Sequence, residues 1–288
     1  MGKMVNIRQM IETDLVAADQ LRSLVGWNQT LQDWRRLLSL QPYGCFVAEQ
    51  DSNVVGTVTT TYYGTELAWI GMLLVHPDYQ KQGIGGKLMK RAMDYLDTLG
   101  VSCMCLDATP AGESIYRKLG FQPLERLARW EITKLTNIPP YNHFKVRYLE
   151  SKNDLDDIIN LDRITFGVNR AELFKVLVND SLKTCVFTGE GRTITGFGMV
   201  RAGSKAYSLG PLVALHKVDA EELTAALLRN FYNQPCYWDI PDRNLEAAEL
   251  AGQYGFYKQR PLTRLSLGNL QTFGQPSGQY AICDFSTG

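Results

Sequence analysis

Apolar and polar residues alternate along this chain with two periodicities, one typical of strands and one typical of helices. Short apolar runs bounded by Gly, Pro or Asn indicate strands, and apolar residues spaced three or four apart indicate amphipathic helices. The two kinds of segment follow one another throughout, which predicts an α/β fold with a mixed sheet. In the first half the pattern predicts strands at 5–8, 45–49, 54–63, 70–75 and 101–107, helices from Asp14, from Thr30, before Gly100 and at 111–118, and two closing strands within 121–134.

The stretch 70–90 joins a buried strand to a helix through a glycine-rich turn. The apolar run from Ile70 ends before Pro77, because proline cannot donate a hydrogen bond to a sheet. The first N–H groups of a helix have no partner inside it, and the helix dipole adds partial positive charge there. Glycines let the main chain approach an anion closely, and Lys81 and Lys87 add full charge. The pattern therefore predicts a phosphate-binding loop.

Two known phosphate motifs do not fit this loop. The dinucleotide fingerprint needs an acidic residue about 20 positions further on, which is not convincingly present. A Walker A loop ends in Gly-Lys-Ser/Thr, and that ending is missing.

What the stretch resembles is the pyrophosphate loop of the GNAT superfamily of acetyl-CoA-dependent N-acetyltransferases. The family signature V-x-P-x-x-[R/Q]-x-x-G-x-G/A corresponds to Val75, Pro77, Gln80, Gly83 and Gly85. A second stretch, residues 115–121 (IYRKLGF), is similar to the family motif L-Y-x-x-x-G-F. The resemblance implies direct transfer of acetyl to a primary amine of a small-molecule acceptor, through a tetrahedral intermediate and without a covalent enzyme intermediate.

The second half of the chain repeats the first at an offset near 140 residues. Residues 185–187 (CVF) match 45–47 (CFV), and 254–256 (YGF) match 119–121 (LGF). An offset of one domain length indicates internal duplication. We therefore expect two tandem GNAT-like domains: a catalytic acetyl-CoA-binding domain at 1–135, a Pro-containing linker at 136–144, and a degenerate domain at 145–288 that helps to form the acceptor pocket.

The second copy departs from the first where the chemistry is expected. After Ala214 it reads LHKVDAEELTAALL, so the glycines are missing and Asp219 and two glutamates stand near the expected phosphates. A carboxylate there repels a pyrophosphate. The position that matches Tyr116 is Ala251. The second domain is therefore not expected to bind CoA.

The resemblance also assigns roles to individual residues. Tyr116 is the expected partner of the thiolate and general acid, and the base is Glu66, Asp107 or a chain of waters. Thr109 either bonds the pantetheine or caps the following helix, and Asp239 and Asp242 are candidates to attract a cationic amine. The expected acetyl-CoA-binding residues are Leu73, Leu74, Val75, Gln80, Lys81, Gln82, Gly83, Ile84, Gly85, Gly86, Lys87, Thr109, Gly112 and Tyr116.

Composition argues against several classes of binding partner. Thirty basic and thirty acidic residues give a formal net charge of zero, which argues against nucleic-acid binding. No apolar run reaches the roughly 18 residues that span a bilayer, so no membrane association is expected. The six cysteines are scattered singly and the three histidines have no ligand spacing, which predicts reduced thiols in the cytoplasm and no metal.

Two other functions are compatible with the sequence. The same chemistry could act on a protein or peptide amine, or carry a longer acyl chain. A non-catalytic acetyl-CoA sensor is the alternative from a different class. The sequence leaves the acceptor and the oligomeric state open.

Overall fold

The computed structural model describes residues 4–138, 140, 144–189, 191, 193–269 and 274–288. Within these residues the chain is a mixed α/β structure, as the sequence predicts. The helices are α1 (Leu15–Leu24), α2 (Leu31–Leu40), α3 (Ile84–Thr98), α4 (Pro110–Lys118), α5 (Lys152–Phe166), α6 (Ala171–Asp180), α7 (Lys217–Leu228) and α8 (Leu245–Gln253). The strands are β1 (Asn6–Gln9), β2 (Phe46–Gln50), β3 (Asn53–Tyr62), β4 (Ala68–Val75), β5 (Cys103–Ala108), β6 (Gln122–Ile132), β7 (Val146–Tyr148), β8 (Lys183–Thr188), β9 (Ile194–Arg201), β10 (Tyr207–Ala214), β11 (Cys236–Pro241), β12 (Tyr257–Gly268) and β13 (Gln279–Ala281).

The first compact unit contains Met1–Asp107, Ser266–Leu270 and Phe285–Gly288. Strands β1 to β4 pair antiparallel in chain order, and β5 lies parallel beside β4. Helix α3 packs against β2, β3 and β4. Helices α1 and α2 supply most of a second buried cluster, which includes Met72 and Leu74 of β4. The sheet of this unit is therefore covered on both faces.

Local signals in the sequence explain where the helices of this unit begin and end. Thr30 precedes α2, and its N–H donates to the Asp33 carboxylate at 2.7 Å, which is a capping box. Gly100 follows α3 with φ 69°, a conformation that glycine adopts without the steric penalty of a side chain. Both features agree with the predicted ends.

The second compact unit contains Ala108–Leu265 and Gln271–Asp284. Its strands follow the order β12-β6-β11-β10-β9-β8-β7, and β13 pairs with β10. The prediction of two closing strands within 121–134 is wrong, because the structure has one long strand, β6. This strand pairs antiparallel with β11 from Leu127↔Pro241 to Ile132↔Cys236. Helix α4 and strand β6 belong to the second compact unit, whereas the sequence predicts a division at 136–144. Residues 139 and 141–143 of the predicted linker lie outside the described residues.

The two halves of the chain begin with the same ion pair. In the first half Arg8 donates to both carboxylate oxygens of Asp14, at 2.7 and 2.9 Å. In the second half Arg147 donates to both oxygens of Asp154, each at 2.7 Å. Burial by itself would raise the pKa of Asp14, but hydrogen bonds from Arg8 and from the Ile11 N–H outweigh it and hold the pKa below its usual value. The bonds from Arg147 likewise lower the pKa of Asp154.

Two features are absent from the described residues. No helix in them is long and apolar enough to cross a membrane. No group of three or more His, Cys, Asp or Glu side chains in the same residues is arranged to hold a metal ion.

Candidate functional site

Strands β4 and β5 pair over a short stretch and then separate. The parallel register joins Ala68 to Met104 and Trp69 to Cys105. Past that point, in residues that are all described, β4 continues to Val75 with a register to β3. The edge of β4 that faces β5 therefore presents main-chain groups without a ladder partner. Such an edge can accept an extended ligand as an added strand.

A β-bulge interrupts β4 at the point where the two strands have separated. Thr57 lies opposite Leu74 and Thr59 opposite Gly71, so Val58 alone faces two residues of β4. One of these two, Met72, has φ 49°, in the left-handed region that a residue with a side chain rarely adopts. The Thr57 hydroxyl donates to the Met72 carbonyl at 2.8 Å, and both residues are buried. A bulge of this kind turns main-chain groups away from the regular ladder, so the N–H groups here can be aimed at a ligand.

The residues that follow β4 form an exposed loop that ends at α3. Lys81 (φ 61°) and Gly83 (φ 79°) both turn through the left-handed region just before the helix. The Gln80 side chain donates back to the Val75 carbonyl at 3.2 Å. A Cβ built at Gly83 or Gly86 would meet no atom within 4 Å, so this surface of the loop faces open space. The first N–H groups of α3 have no partner within the helix, so the loop has the features expected of an anion site built from main-chain amides.

The structure brings most of the predicted acetyl-CoA residues together at this one place. Leu73, Leu74 and Val75 end β4, and the following residues line the loop and the first turn of α3. Ile84 differs from its neighbours because its side chain is 1% exposed and belongs to the core. It can therefore contribute only its main chain. Among the predicted residues here, the exposed side chains are those of Gln80, Lys81, Gln82 and Lys87.

Thr109 precedes α4, and Gly112 and Tyr116 lie on it, all in the second compact unit. A Cβ on Gly112 would be 3.3 Å from the Tyr116 ring, so that ring lies back over the first turn of its own helix. The Tyr116 ring also meets Phe121 edge to face at 6.3 Å between centroids. Thr109 is the N-cap residue of α4, and its carbonyl accepts from the Gly112 N–H at 2.9 Å, but its side chain makes no capping hydrogen bond.

Burial raises the pKa of Tyr116 to about 12. The phenol is therefore a weaker acid than an ordinary tyrosine and keeps its proton over the physiological range. A thiol has a much lower pKa, of about 8.5, so full proton transfer from this phenol to a thiolate is uphill. Tyr116 is thus better suited to donate a hydrogen bond to a thiolate than to protonate it.

The two candidate bases occupy different ends of the strand pair. Glu66 is exposed in the turn before β4, next to Thr65, whose carbonyl accepts from the Ser102 N–H at 2.7 Å. That is the end at which β4 and β5 are paired. Asp107 is partly buried near the carboxyl end of β5, the end at which the parallel strands have separated. Position favours Asp107 over Glu66, and the role of either as base stays a prediction.

Family models match both halves of the chain. Two models, each described as an acetyltransferase (GNAT) domain, match residues 41–123 and residues 158–281. Together they span well over half of the sequence. The chain is a tandem GNAT N-acetyltransferase.

Individual relatives of this tandem GNAT protein are distant. Holothin acyltransferase of Pseudoalteromonas sp. (strain SANK 73390) is 24% identical over 70% of this chain and 67% of its own length. The uncharacterized N-acetyltransferase YitH of Bacillus subtilis (strain 168) is 22% identical over 81% of each chain. Among solved structures, a presumed acetyltransferase from Pyrococcus horikoshii superimposes with a TM-score of 0.83 at 23% identity, covering 99% of this chain and 96% of its own. A tandem GNAT protein from the clavulanic acid biosynthesis pathway gives 0.69 at 12% identity, covering 92% and 98%.

The second GNAT copy keeps the position of the bulge but not its chemistry. The register of β10 with β9 shifts between Leu209 and Leu212, so Gly210 and Pro211 are the two bulged residues, where the first copy has Met72 and Leu73. Proline has no N–H to present to a ligand. At the start of α7, Asp219 is 2% exposed and lies within the first turn. Its carboxylate adds negative charge where the first copy offers main-chain amides.

Asp239 and Asp242, the two carboxylates proposed to attract a cationic amine, each form an ion pair within the chain. Arg129 donates to both oxygens of Asp239, at 2.8 and 2.7 Å, and the pair is buried. Lys258 donates to Asp242 at 2.9 Å. Because each carboxylate has a cationic partner, neither is available as an open site for an amine.

Sequence reasoning missed two features of the first unit. One is the bulge, whose left-handed residue is a methionine rather than the glycine that would have indicated it. The other is the segment Phe285–Gly288, which belongs to the first unit although it lies at the far end of the sequence. No local pattern carries that information, since the contact is between residues more than 200 positions apart.

Proposed function

We propose that this protein transfers the acetyl group of acetyl-CoA directly to a primary amine of a small molecule. The observation that carries the proposal is the exposed main-chain amide surface of the loop 80–87. It follows directly on a strand edge that lacks a ladder partner. A diphosphate on the loop and an extended arm along β4 would use both features.

The loop residues fit a diphosphate by their chemistry. The N–H groups at the start of α3 donate, Lys81 and Lys87 supply positive charge, and the glycines leave space for close approach. No acidic residue stands in the first turn of α3. When bound, acetyl-CoA supplies the activated acyl group, and the protein has to bind, orient and polarise it.

The bulge has the geometry of an oxyanion site. The Thr57 hydroxyl holds the Met72 carbonyl, which fixes the direction of the neighbouring peptide N–H groups. Fixed donors of this kind stabilise the negative charge that develops on a carbonyl oxygen under attack. We assign this role to the main chain around Leu73 and Leu74.

Tyr116 is expected, from its motif, to donate a hydrogen bond to the departing thiolate. Its pKa of about 12 keeps the hydroxyl protonated at neutral pH. Asp107, or water held near it, would accept the proton of the amine. The name of the Pseudoalteromonas relative specifies one acceptor compound, holothin, which supports a discrete acceptor here as well.

The direct test is release of free thiol from acetyl-CoA in the presence of a panel of amines, with thermal unfolding followed in parallel. We expect turnover with at least one small primary amine. Turnover confined to lysine-containing peptides would favour the protein-acylating alternative. Stabilisation by CoA without turnover on any amine would favour the sensor.

A further inference from the structure

A cleft of about 400 Å³ lies between helices α7 and α8 of the second unit. Its lining includes Glu221, Glu222 and Ala225 of α7, Leu250 of α8, and Tyr254, which follows α8. The volume is within the range of small-molecule sites, and a few polar groups beside an apolar wall are typical of such sites. The cleft is therefore large enough to hold a small organic ligand.

Contacts within each copy show which positions of the first copy the two glutamates replace. A Cβ built at Gly56 of β3 would meet Leu88 Cδ1 at 3.0 Å, and one built at Gly196 of β9 would meet Leu223 Cδ1 at 2.9 Å. Each of these glycines also pairs with the last residue of the strand that follows it. Leu223 of α7 therefore corresponds to Leu88 of α3.

Under this correspondence, Glu221 and Glu222 stand where the first copy has Gly86 and Lys87. Those two residues of the first copy belong to the expected acetyl-CoA loop. The second copy has a carboxylate at each of the two positions instead of a glycine and a lysine. The exchange reverses the sign of the charge that this part of the helix offers to a ligand, from one that suits a phosphate to one that suits a cation.

The rest of the two helices adds to the negative charge around the cleft. Together, α7 and α8 carry five carboxylates and one basic residue, Lys217. Lys217 donates to the Glu249 carboxylate at 2.9 Å. Glu221 makes no hydrogen bond and no ion pair with any residue that the structure describes. Its charge is therefore available to a ligand in the cleft.

Tyr254 supplies an unpaired hydroxyl to the same cleft. Its side chain is 4% exposed, and its hydroxyl has no hydrogen-bond partner among the described residues. Burial and the charges of Glu221 and Glu222 raise the pKa of Tyr254, so the phenol is close to both carboxylates of the cleft. The first copy has Leu119 at the matching position, which shows that packing there does not require a hydroxyl. An unpaired buried hydroxyl is costly, so this one points to a ligand that pairs with it.

We propose that the cleft between α7 and α8 binds a protonated aliphatic diamine through Glu221, Glu222 and Tyr254. Ammonium groups would donate to the two carboxylates and to the phenol oxygen, and the methylene stem would pack on Ala225 and Leu250. The inference does not depend on the proposed function, because it concerns binding in the second unit.

Other classes of ligand fit the cleft less well. An anion would be repelled by the two carboxylates, and a neutral ligand would leave them without a countercharge. Two carboxylates are too few for Ca²⁺ or Mg²⁺, and no group of three or more ligating side chains occurs in the part of the chain that the structure describes. An organic cation is the class that uses both the charge and the apolar wall.

The experiment measures binding to the full chain without acetyl-CoA, by isothermal titration calorimetry at low ionic strength. The probe is 1,4-diaminobutane, and 1,4-butanediol is its uncharged counterpart of similar length. The cleft variants are Glu221→Gln combined with Glu222→Gln, and Tyr254→Phe. The matched control is Asp156→Asn combined with Asp157→Asn, which removes two adjacent, exposed carboxylates of α5 outside the cleft.

The native protein should bind the diamine at least about tenfold more tightly than the diol, because only the diamine supplies positive charge. The double glutamine variant should lose at least about tenfold in affinity for the diamine. Tyr254→Phe should lose about threefold or more, and its melting temperature should stay the same or rise, because an unpaired hydroxyl is removed. The double asparagine control should bind within about twofold of the native protein.

Absence of saturable diamine binding, equal affinity for the diol, or unchanged affinity in either cleft variant would overturn the site. An equal loss in the asparagine control would also overturn it, since binding would then follow net charge alone. Diamine binding with the expected losses, but without acetylation of any amine, would leave the site standing and refute the proposed function. Acetylation of small amines without diamine binding in the cleft would refute the site alone.

Discussion

The connection between β4 and α3 is eight residues long, from His76 to Gly83, whereas the connection between β10 and α7 is Leu215 and His216. The longer connection exposes main-chain amides, carries Lys81 and ends in Gly83, which faces open space. The shorter one leads directly into a helix with a buried aspartate in its first turn. Duplicated sequences have thus kept the strand–helix framework in both places, while the features expected of an anion site are present in one of them.

The strands that precede the two connections, β4 and β10, also differ in the main-chain N–H groups that they can offer to a ligand. Both strands have a register shift, but the first places Met72 there and the second Pro211. A methionine in the left-handed region keeps its N–H available, and a proline has none. A duplicated domain can therefore keep the bulged strand while it loses the main-chain N–H group that the strand would present to a ligand.

The largest expected effect comes from Gly83→Glu. A side chain at φ 79° strains the loop by roughly 1–2 kcal/mol, and the carboxylate repels the diphosphate. CoA affinity, measured by isothermal titration calorimetry, should fall at least about 100-fold. The control is Gly191→Glu, at a second glycine with positive φ (66°) and open surroundings in the second half. If the Gly83 variant binds CoA as well as the native protein does, the loop is not the anion site.

Tyr116→Phe tests the second motif. Loss of the donated hydrogen bond should lower kcat roughly 10- to 100-fold and leave the KM for acetyl-CoA nearly unchanged. Because the pKa of Tyr116 is about 12, the factor should be the same at pH 7 and pH 9.5. Tyr148→Phe, at the end of strand β7 in the second copy, should leave kcat unaltered. An unchanged kcat for the Tyr116 variant would remove this residue from the mechanism.

Thr57→Val tests whether the bulge affects the reaction rate in addition to stability. It removes the hydroxyl that holds the Met72 carbonyl, and we expect kcat to fall about tenfold as the peptide N–H groups lose their direction. Thr60→Val removes a comparable buried bond to the Gly44 carbonyl. Each variant should lose about 1 kcal/mol of stability in urea unfolding, but only the first should lose rate. Equal rate effects would mean that the bulge has no special role.

The smallest expected effect comes from breaking the Arg–Asp ion pair that occurs at the start of both halves of the chain. Arg8→Met and Arg147→Met each break the ion pair at the start of a half, and each should reduce stability at pH 7 by about 1 kcal/mol or less. The lowered pKa of Asp14 and of Asp154 stabilises the native state above the ordinary aspartate pKa, and this contribution is lost as the pH falls below about 4. The variants should therefore differ from the native protein at pH 7, and the difference should become smaller as the pH falls from about 4 towards the lowered pKa of each carboxylate. A constant difference across this pH range would show that the pairs do not act through charge.

Sequence reasoning was sufficient for the elements whose signals are local. The capping box at Thr30, the glycine after α3 and the loop that starts with Pro77 are all readable from a few consecutive residues. Pairing between distant segments was not readable. Nothing in residues 121–134 indicates a partner at 236–241, and nothing in the last residues of the sequence indicates contact with Trp69. The bulge was also missed, because its conformation is imposed by the surrounding strands rather than by the residue that adopts it.

The most direct test of the account is a crystal structure of the full chain with CoA. We expect the diphosphate on the main-chain amides at 83–87, the pantetheine arm along the open edge of β4, and no CoA at the start of α7. Density for CoA at α7, or a diphosphate bound away from the loop after β4, would contradict the account.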